Sequence, residues 1–190
     1  VDGVPDGRMS SGVTSAARDS LRRSADVGGY LHRFRTDADL LQTLLLVGGF
    51  AALTGLAAQI RIPLWFTPVP ITLQTFAFLL AGVVLGARQG GLSQGLYVGG
   101  GALGVPWFQS MGAGLGHLAG PTGGYLVGML CSTLFVGYVV DRYPVREHLS
   151  ALLGLLAVGN AVVYVVGLPW LFLWSNLATG GGIGLWELLV

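Results

Sequence analysis

The chain contains no lysine. That absence removes two chemistries at once. A nucleotide-binding P-loop needs a lysine on the terminal phosphates, and a Schiff-base enzyme needs a lysine amine. If ATP drives any process here, the ATPase must be another polypeptide. Cysteine is nearly absent as well. Cys131 stands alone, which excludes an internal disulfide and a cysteine-based metal cluster. It sits in an apolar run, where a free thiol behaves as a small hydrophobe. Charge is the third scarcity. Only 10% of the 190 residues are charged and 53% are hydrophobic, against about a quarter charged in a soluble domain. A water-soluble globule could not cover itself with so few charges, whereas a bilayer-embedded chain does not need to. The mean hydropathy of +0.69 agrees.

The charges that exist are unevenly placed. Twelve of nineteen fall in residues 1–39, and the remaining 151 residues hold Arg61, Arg88, Asp141, Arg142, Arg146, Glu147 and Glu187. The chain therefore divides into a hydrophilic tail, 1–39, expected to be largely disordered and cytoplasmic, and a membrane domain, 40–190. Asp19 to Arg35 has the makings of a weak surface helix. The tail lacks the apolar core of a cleaved export signal. The net charge of +1, with arginines scattered among aspartates, argues against nucleic acid as a partner.

A spanning helix needs about 20 mostly apolar residues. Runs over 40–59, 69–86, 91–105, 122–140 and 149–168 qualify or nearly so, and each ends at a break: 61–63, 86–90, Pro106, 141–147 and Pro169. The expected fold class is an all-α, polytopic transmembrane helix bundle with five helices. Arginines mark alternate connections: the tail, Arg88, then Arg142 and Arg146. The positive-inside rule puts these in the cytoplasm. Arg61 falls on the opposite side, where it can snorkel to headgroups.

Glycine is abundant, at 32 residues. On the first run, Gly48 with Ala52 and Ala51 with Gly55 make small-xxx-small pairs, suited either to packing within the bundle or to docking another membrane subunit. Gly99, Gly101 and Gly104 match G-x-G-x-x-G, but the strand and helix that give that motif its meaning are missing. They read as glycines of a packed helix.

Two segments are unlike ordinary connectors. In RIPLWFTPVPITLQ, residues 61–74, three prolines deny the backbone a helix and leave a stiff, extended loop. Trp65 and Phe66 put aromatic area on it, as an interfacial belt or as a lid over an outward-facing pocket. In QSMGAGLGHLAGPTGGY, residues 109–125, glycines let the backbone approach a ligand. Thr122 is placed to cap the next helix and leave N–H groups free for an anion. The alternative is a plain surface loop. His117 is isolated, with no second ligand at metal-site spacing. Asn160 and Tyr164 share a helix face at i, i+4, where an intramembrane asparagine either bridges helices or meets a polar ligand. No Ser/His/Asp set, carboxylate pair or H-E-x-x-H appears, and the acids of the body, Asp141, Glu147 and Glu187, lie outside the runs. We expect no enzyme, no metal and no cofactor.

Those motifs carry a resemblance. RIPLWFTPVPITLQTFAFLLAGVVLG, then GALGVPWF, GPTGGYLVG and GLPWL, in this order and spacing, resemble the BioY family, the biotin-binding subunits of energy-coupling-factor vitamin transporters. The resemblance covers roughly residues 45–190. It implies a six-helix subunit in the cell membrane that captures biotin on the outer side. Such a subunit works with a transmembrane coupling subunit and two cytoplasmic ATPases. It implies ligand-contacting roles for Phe66, Gln74, Gly112, Gly124, Tyr125 and Asn160, and a docking role for Gly48, Ala51, Ala52 and Gly55. The family's sixth helix begins near a Pro-Gly-Asp-x-x-Lys motif, whose Asp and Lys contact biotin. This chain stops at Val190, after GLWELLV, so the expectation is five helices without those two polar ligands. A related subunit for another vitamin, or a membrane assembly protein without a ligand, are the alternatives.

Overall fold

The computed structural model describes residues 40–63, 65 and 69–178. The expected tail, 1–39, and the side chain of Phe66 lie outside the described residues. Among the described residues, four helices are long and apolar enough to cross a membrane. Helix α1, Leu40–Gln59, follows the expected run residue for residue; its 20 residues rise about 30 Å, the thickness of a hydrocarbon core. Two short strands, β1 at Arg61–Ile62 and β2 at Ile71–Thr72, pair antiparallel and close the base of the proline-rich loop. The ladder explains why the second run does not become helical at residue 69: Ile71 and Thr72 pair as a strand, and helix α2, Gln74–Ala102, starts only after it.

Helix α2 joins the two runs expected over 69–86 and 91–105, but it is not straight. Gly86 breaks it with φ 74° and ψ −170°, a conformation that only glycine adopts readily. The two arms fold back on each other. A Cβ at Gly90 would lie 3.0 Å from the Ala81 carbonyl, and Gln74 Nε2 donates to Tyr97 Oη at 2.6 Å. The break exposes backbone groups that a continuous helix would satisfy, and side chains from later in the chain, packed against it, take them up. Asp141 Oδ2 accepts the Ala87 N–H at 2.9 Å, and the Arg146 guanidinium donates to the Val83 carbonyl. A Gly86→Val substitution should cost about 1–3 kcal/mol of stability, measurable as an earlier midpoint when unfolding is titrated in mixed detergent micelles.

A single turn at Gln109–Met111 and the short helix α3, Leu115–Leu118, lead to α4, Gly123–Arg142. After a turn at Val145–Glu147, α5 runs over Leu149–Ala178. This corrects the expected end at Pro169: the helix continues through the proline. Neighbouring helices make that tolerable, and here Trp170 anchors the continuation by donating Nε1–H to the Gly120 carbonyl at 2.9 Å.

Helix α1 packs on the α2 hairpin, the hairpin on α4, and α4 on α5. The most apolar windows of α2 and α4 are 50% and 56% buried, those of α1 and α5 only 22%, so the hairpin and α4 form the centre. Small residues set these contacts. Ser132 Oγ donates to the Gly159 carbonyl at 2.6 Å, and Thr133 Oγ1 to the Phe78 carbonyl at 3.1 Å. At Gly137 a side chain would overlap the backbone of Gly86 and Ala87. Without a hydrophobic driving force between helices in lipid, such close approach and interhelical hydrogen bonding hold the bundle. One end of the bundle gathers Arg88, Asp141, Arg142, Arg146 and Glu147 around a wide groove.

Candidate functional site

At the opposite end a cavity of about 290 Å³ opens between the β2 strand, the glycine-rich segment, α4 and α5. A larger groove, about 1660 Å³, lies at the charged end. Size does not choose between them. The smaller cavity is where uncharged polar side chains and aromatic rings converge, the usual composition of a small-molecule site.

Three of the residues expected to contact ligand meet there: Gln74, Tyr125 and Asn160. Gln74 comes from the first turn of α2, directly after the strand that ends the proline-rich loop. It is buried and held from both sides, accepting from Thr72 Oγ1 at 3.0 Å and donating to Tyr97. Tyr125 stands on the first turn of α4, edge-on to Tyr164 of α5 at a centroid distance of 6.0 Å. Gly167 lets that ring lie against α5, since a Cβ there would sit 2.6 Å from Tyr125 Cδ1. Asn160 projects from the middle of α5, and its amide makes no hydrogen bond to a described residue. Of the two readings open for an intramembrane asparagine, helix bridging is therefore not the one realised among the described residues. Val69, Pro70, Ile71 and Thr72 complete one wall, so the base of the proline-rich loop borders the cavity.

Gly112 and Gly124 do not line it. They stand one layer behind, where each admits a ring that a side chain would displace: His117 against Gly112, Trp170 against Gly124. The expected capping role of Thr122 is also corrected. Thr122 occupies the N-cap position of α4, yet its side chain makes no capping bond, and the Gly123 N–H is taken by the Gly120 carbonyl at 3.2 Å. Thr122 lines the cavity instead. The docking expectation for α1 splits in two. Ala51 is fully buried, and Gly55 lies under Trp107, whose Cβ is 2.9 Å from where a glycine-55 side chain would begin. These two face the bundle, not a partner. Gly48 is partly exposed and Ala52 exposed, and Gly48 has nothing within 4 Å of a built Cβ.

The residues that hold the glycine-rich segment in place carry no motif in the sequence. Gln59 closes α1 and spends its amide on that segment. Its Nε2 donates to the carbonyls of Gly55, Trp107 and Phe108 at 3.1, 3.2 and 3.0 Å, and its Oε1 accepts the Met111 N–H at 3.1 Å. The clamp sustains a strained turn, with Ser110 and Met111 both at positive φ, 59° and 58°, outside the range most L-residues adopt. Beneath it, Tyr97, Phe108 and His117 form an aromatic stack. Phe108 meets Tyr97 edge-on at 5.4 Å and lies nearly parallel to His117 at 5.1 Å. The stack delivers His117 and Gln109 to the cavity wall. In the sequence Gln59 is simply the last residue of the 40–59 run, and His117 an isolated histidine.

Comparison with known proteins gives a consistent picture. A family model described as the BioY family matches residues 27–190. The chain is 46% identical over 112 residues to a protein of Methanothermobacter thermautotrophicus named "Probable biotin transporter BioY", covering 58% of this chain and 71% of that one. It is 36% identical over 127 residues to the "Biotin transporter BioY" of Thermotoga maritima, covering 67% and 72%. Among solved structures it is similar to the S-component for biotin from an ECF-type ABC transporter, with a TM-score of 0.69, 27% identity and 78% of each chain covered.

Proposed function

The chain belongs to the BioY family, and from that premise we propose that it binds biotin in the cavity beside the glycine-rich segment. It thereby serves as the substrate-binding component of an energy-coupling-factor transporter. The observation that carries the placement is the open amide of Asn160 in a cavity also lined by Tyr125, Tyr164 and Met129. Biotin presents a ureido group that needs hydrogen bonds and a bicyclic body that suits aromatic and apolar walls. The Asn160 amide is half-buried and makes no hydrogen bond to a described residue, so a ligand's polar group can satisfy it.

The protein is a multi-pass membrane protein. We place its charged end in the cytoplasm, on the strength of Arg88, Arg142 and Arg146, with the N-terminal tail on the same side and the cavity facing outward. With no lysine for a P-loop, ATP hydrolysis falls to partner ATPase subunits, reached through a transmembrane coupling subunit. Of the four expected docking residues, Gly48 and Ala52 are the two still open to such a partner.

Saturating biotin should raise the melting temperature of the purified full-length protein by several degrees, since ligand at a hundred times its Kd adds about 2.7 kcal/mol of stability. An unmoved melting temperature with biotin, alongside a shift with another vitamin, would redirect the substrate assignment within the same family of subunits.

A further inference from the structure

Biotin is a monocarboxylate, and its valerate tail carries a negative charge at neutral pH. The described residues lining the cavity include no lysine, arginine, aspartate or glutamate. His117 is the lining side chain among them that can become a cation. Its ring is firmly seated. One face lies on Phe108 at 5.1 Å and 25°, and Phe108 is itself fully buried. The Nδ1 edge abuts Gly112, where a Cβ would lie 2.5 Å from Nδ1. Packing alone fixes the imidazole, because it makes no hydrogen bond to a described residue. A positioned ring with unused hydrogen-bonding capacity, at the wall of a ligand cavity, is what carboxylate recognition requires.

We infer that His117 receives the carboxylate of the bound acid as an imidazolium, so that binding draws a proton onto the protein. This rests on the reading of the cavity as the biotin site, and it adds the group that tells the acid from its uncharged analogues. The groups around the ring oppose nothing. Gln109 and Thr122 come from its own segment, Thr72 and Gln74 from β2 and α2, Tyr125 from α4, and Asn160 and Tyr164 from α5. All are uncharged near neutral pH.

Desolvation holds the His117 pKa below its ordinary 6.5 in the empty cavity, so the ring starts neutral. A bound carboxylate favours the charged form and raises that pKa. The liganded state then binds more protons than the empty one. Affinity for the acid must therefore rise as pH falls, and level off below the empty-state pKa. The carboxylate of biotin stays ionised throughout that window.

The test is competition binding on the full-length protein in nanodiscs, with biotin and uncharged biotinamide, at pH values of about 6 and about 8. The wild type should bind biotin about tenfold more tightly at the lower pH, with biotinamide unaffected. His117→Gln should remove the pH dependence and narrow the preference for acid over amide, while its amide binding reports an intact cavity. His117→Arg should restore the preference without the pH dependence. A wild-type profile that is flat with pH, or a His117→Gln protein with an unchanged acid-to-amide ratio, overturns the inference while the biotin site stands. A wild type that binds neither compound overturns the biotin reading itself. If His117→Gln binds neither, calorimetry of the wild type in buffers of different ionisation enthalpy decides, since the inference requires proton uptake on binding biotin and none on binding biotinamide.

Discussion

Replacing Asn160 by leucine is expected to weaken biotin binding by about 10–100-fold while leaving the ligand-free protein at least as stable as before. The asymmetry comes from where the amide spends its hydrogen bonds. Asn160 makes none to a described residue, so removing it from the empty protein breaks nothing in the described structure and exchanges a costly intramembrane polar group for an apolar one. In the complex the same change leaves polar atoms of the ligand buried without a partner, at about 1–3 kcal/mol, which corresponds to that loss of affinity. Equilibrium binding and a ligand-free melting curve on the same preparation check both halves. Unchanged affinity would make Asn160 a residue of the bundle surface and shift the ureido contacts elsewhere in the cavity.

Replacing Gln59 by leucine should do the opposite and damage the fold first. We expect a loss of about 2–4 kcal/mol of stability, together with weaker biotin binding. The Gln59 amide satisfies the carbonyls of Trp107 and Phe108 and the N–H of Met111. Without it the Phe108 carbonyl and the Met111 N–H lose the Gln59 bond, the Trp107 carbonyl keeps only the long one from Tyr97 Oη at 3.5 Å, and the positive-φ pair Ser110 and Met111 loses the contact that pins it. Gln109 and His117 ride on the same segment, so the cavity wall loosens with it. The pair of variants separates two roles. Asn160→Leu should change binding alone, and Gln59→Leu should change unfolding and binding together. A Gln59→Leu protein with wild-type unfolding would mean that water or lipid headgroups replace the clamp.

Much of the fold was legible in the chain because hydrophobic length is a strong constraint in a bilayer. Residues 40–59 read as a span and form one. The break after residue 85 read as a boundary, and Gly86 makes it a sharp reversal between two helical arms. The errors share a cause. Pro169 read as a helix end by the rules of water-soluble helices, yet α5 continues because Trp170 and the close contact at Gly124 hold the next turns in place. Residues 69–73 read as helical from hydropathy, yet Ile71 and Thr72 pair with Ile62 and Arg61 as a short ladder, and the helix begins after it.

The site was less legible. Composition and charge placement by themselves determined that this is a membrane bundle, with its basic connections at one end. The order of the two loop motifs determined its family. Only the tertiary structure decided which small residues of α1 face inward, that Gly112 and Gly124 stand behind the cavity rather than in it, and that Gln59 and Phe108 support the segment that brings His117 to its wall. The physical reason is one of distance along the chain. A bilayer tests each segment for hydrophobic length almost independently, so spans can be read locally. A ligand cavity is made by residues tens of positions apart, such as Gln74, His117 and Asn160. Hydrogen bonds and ring contacts between helices bring them together, and no pattern within any one segment encodes them.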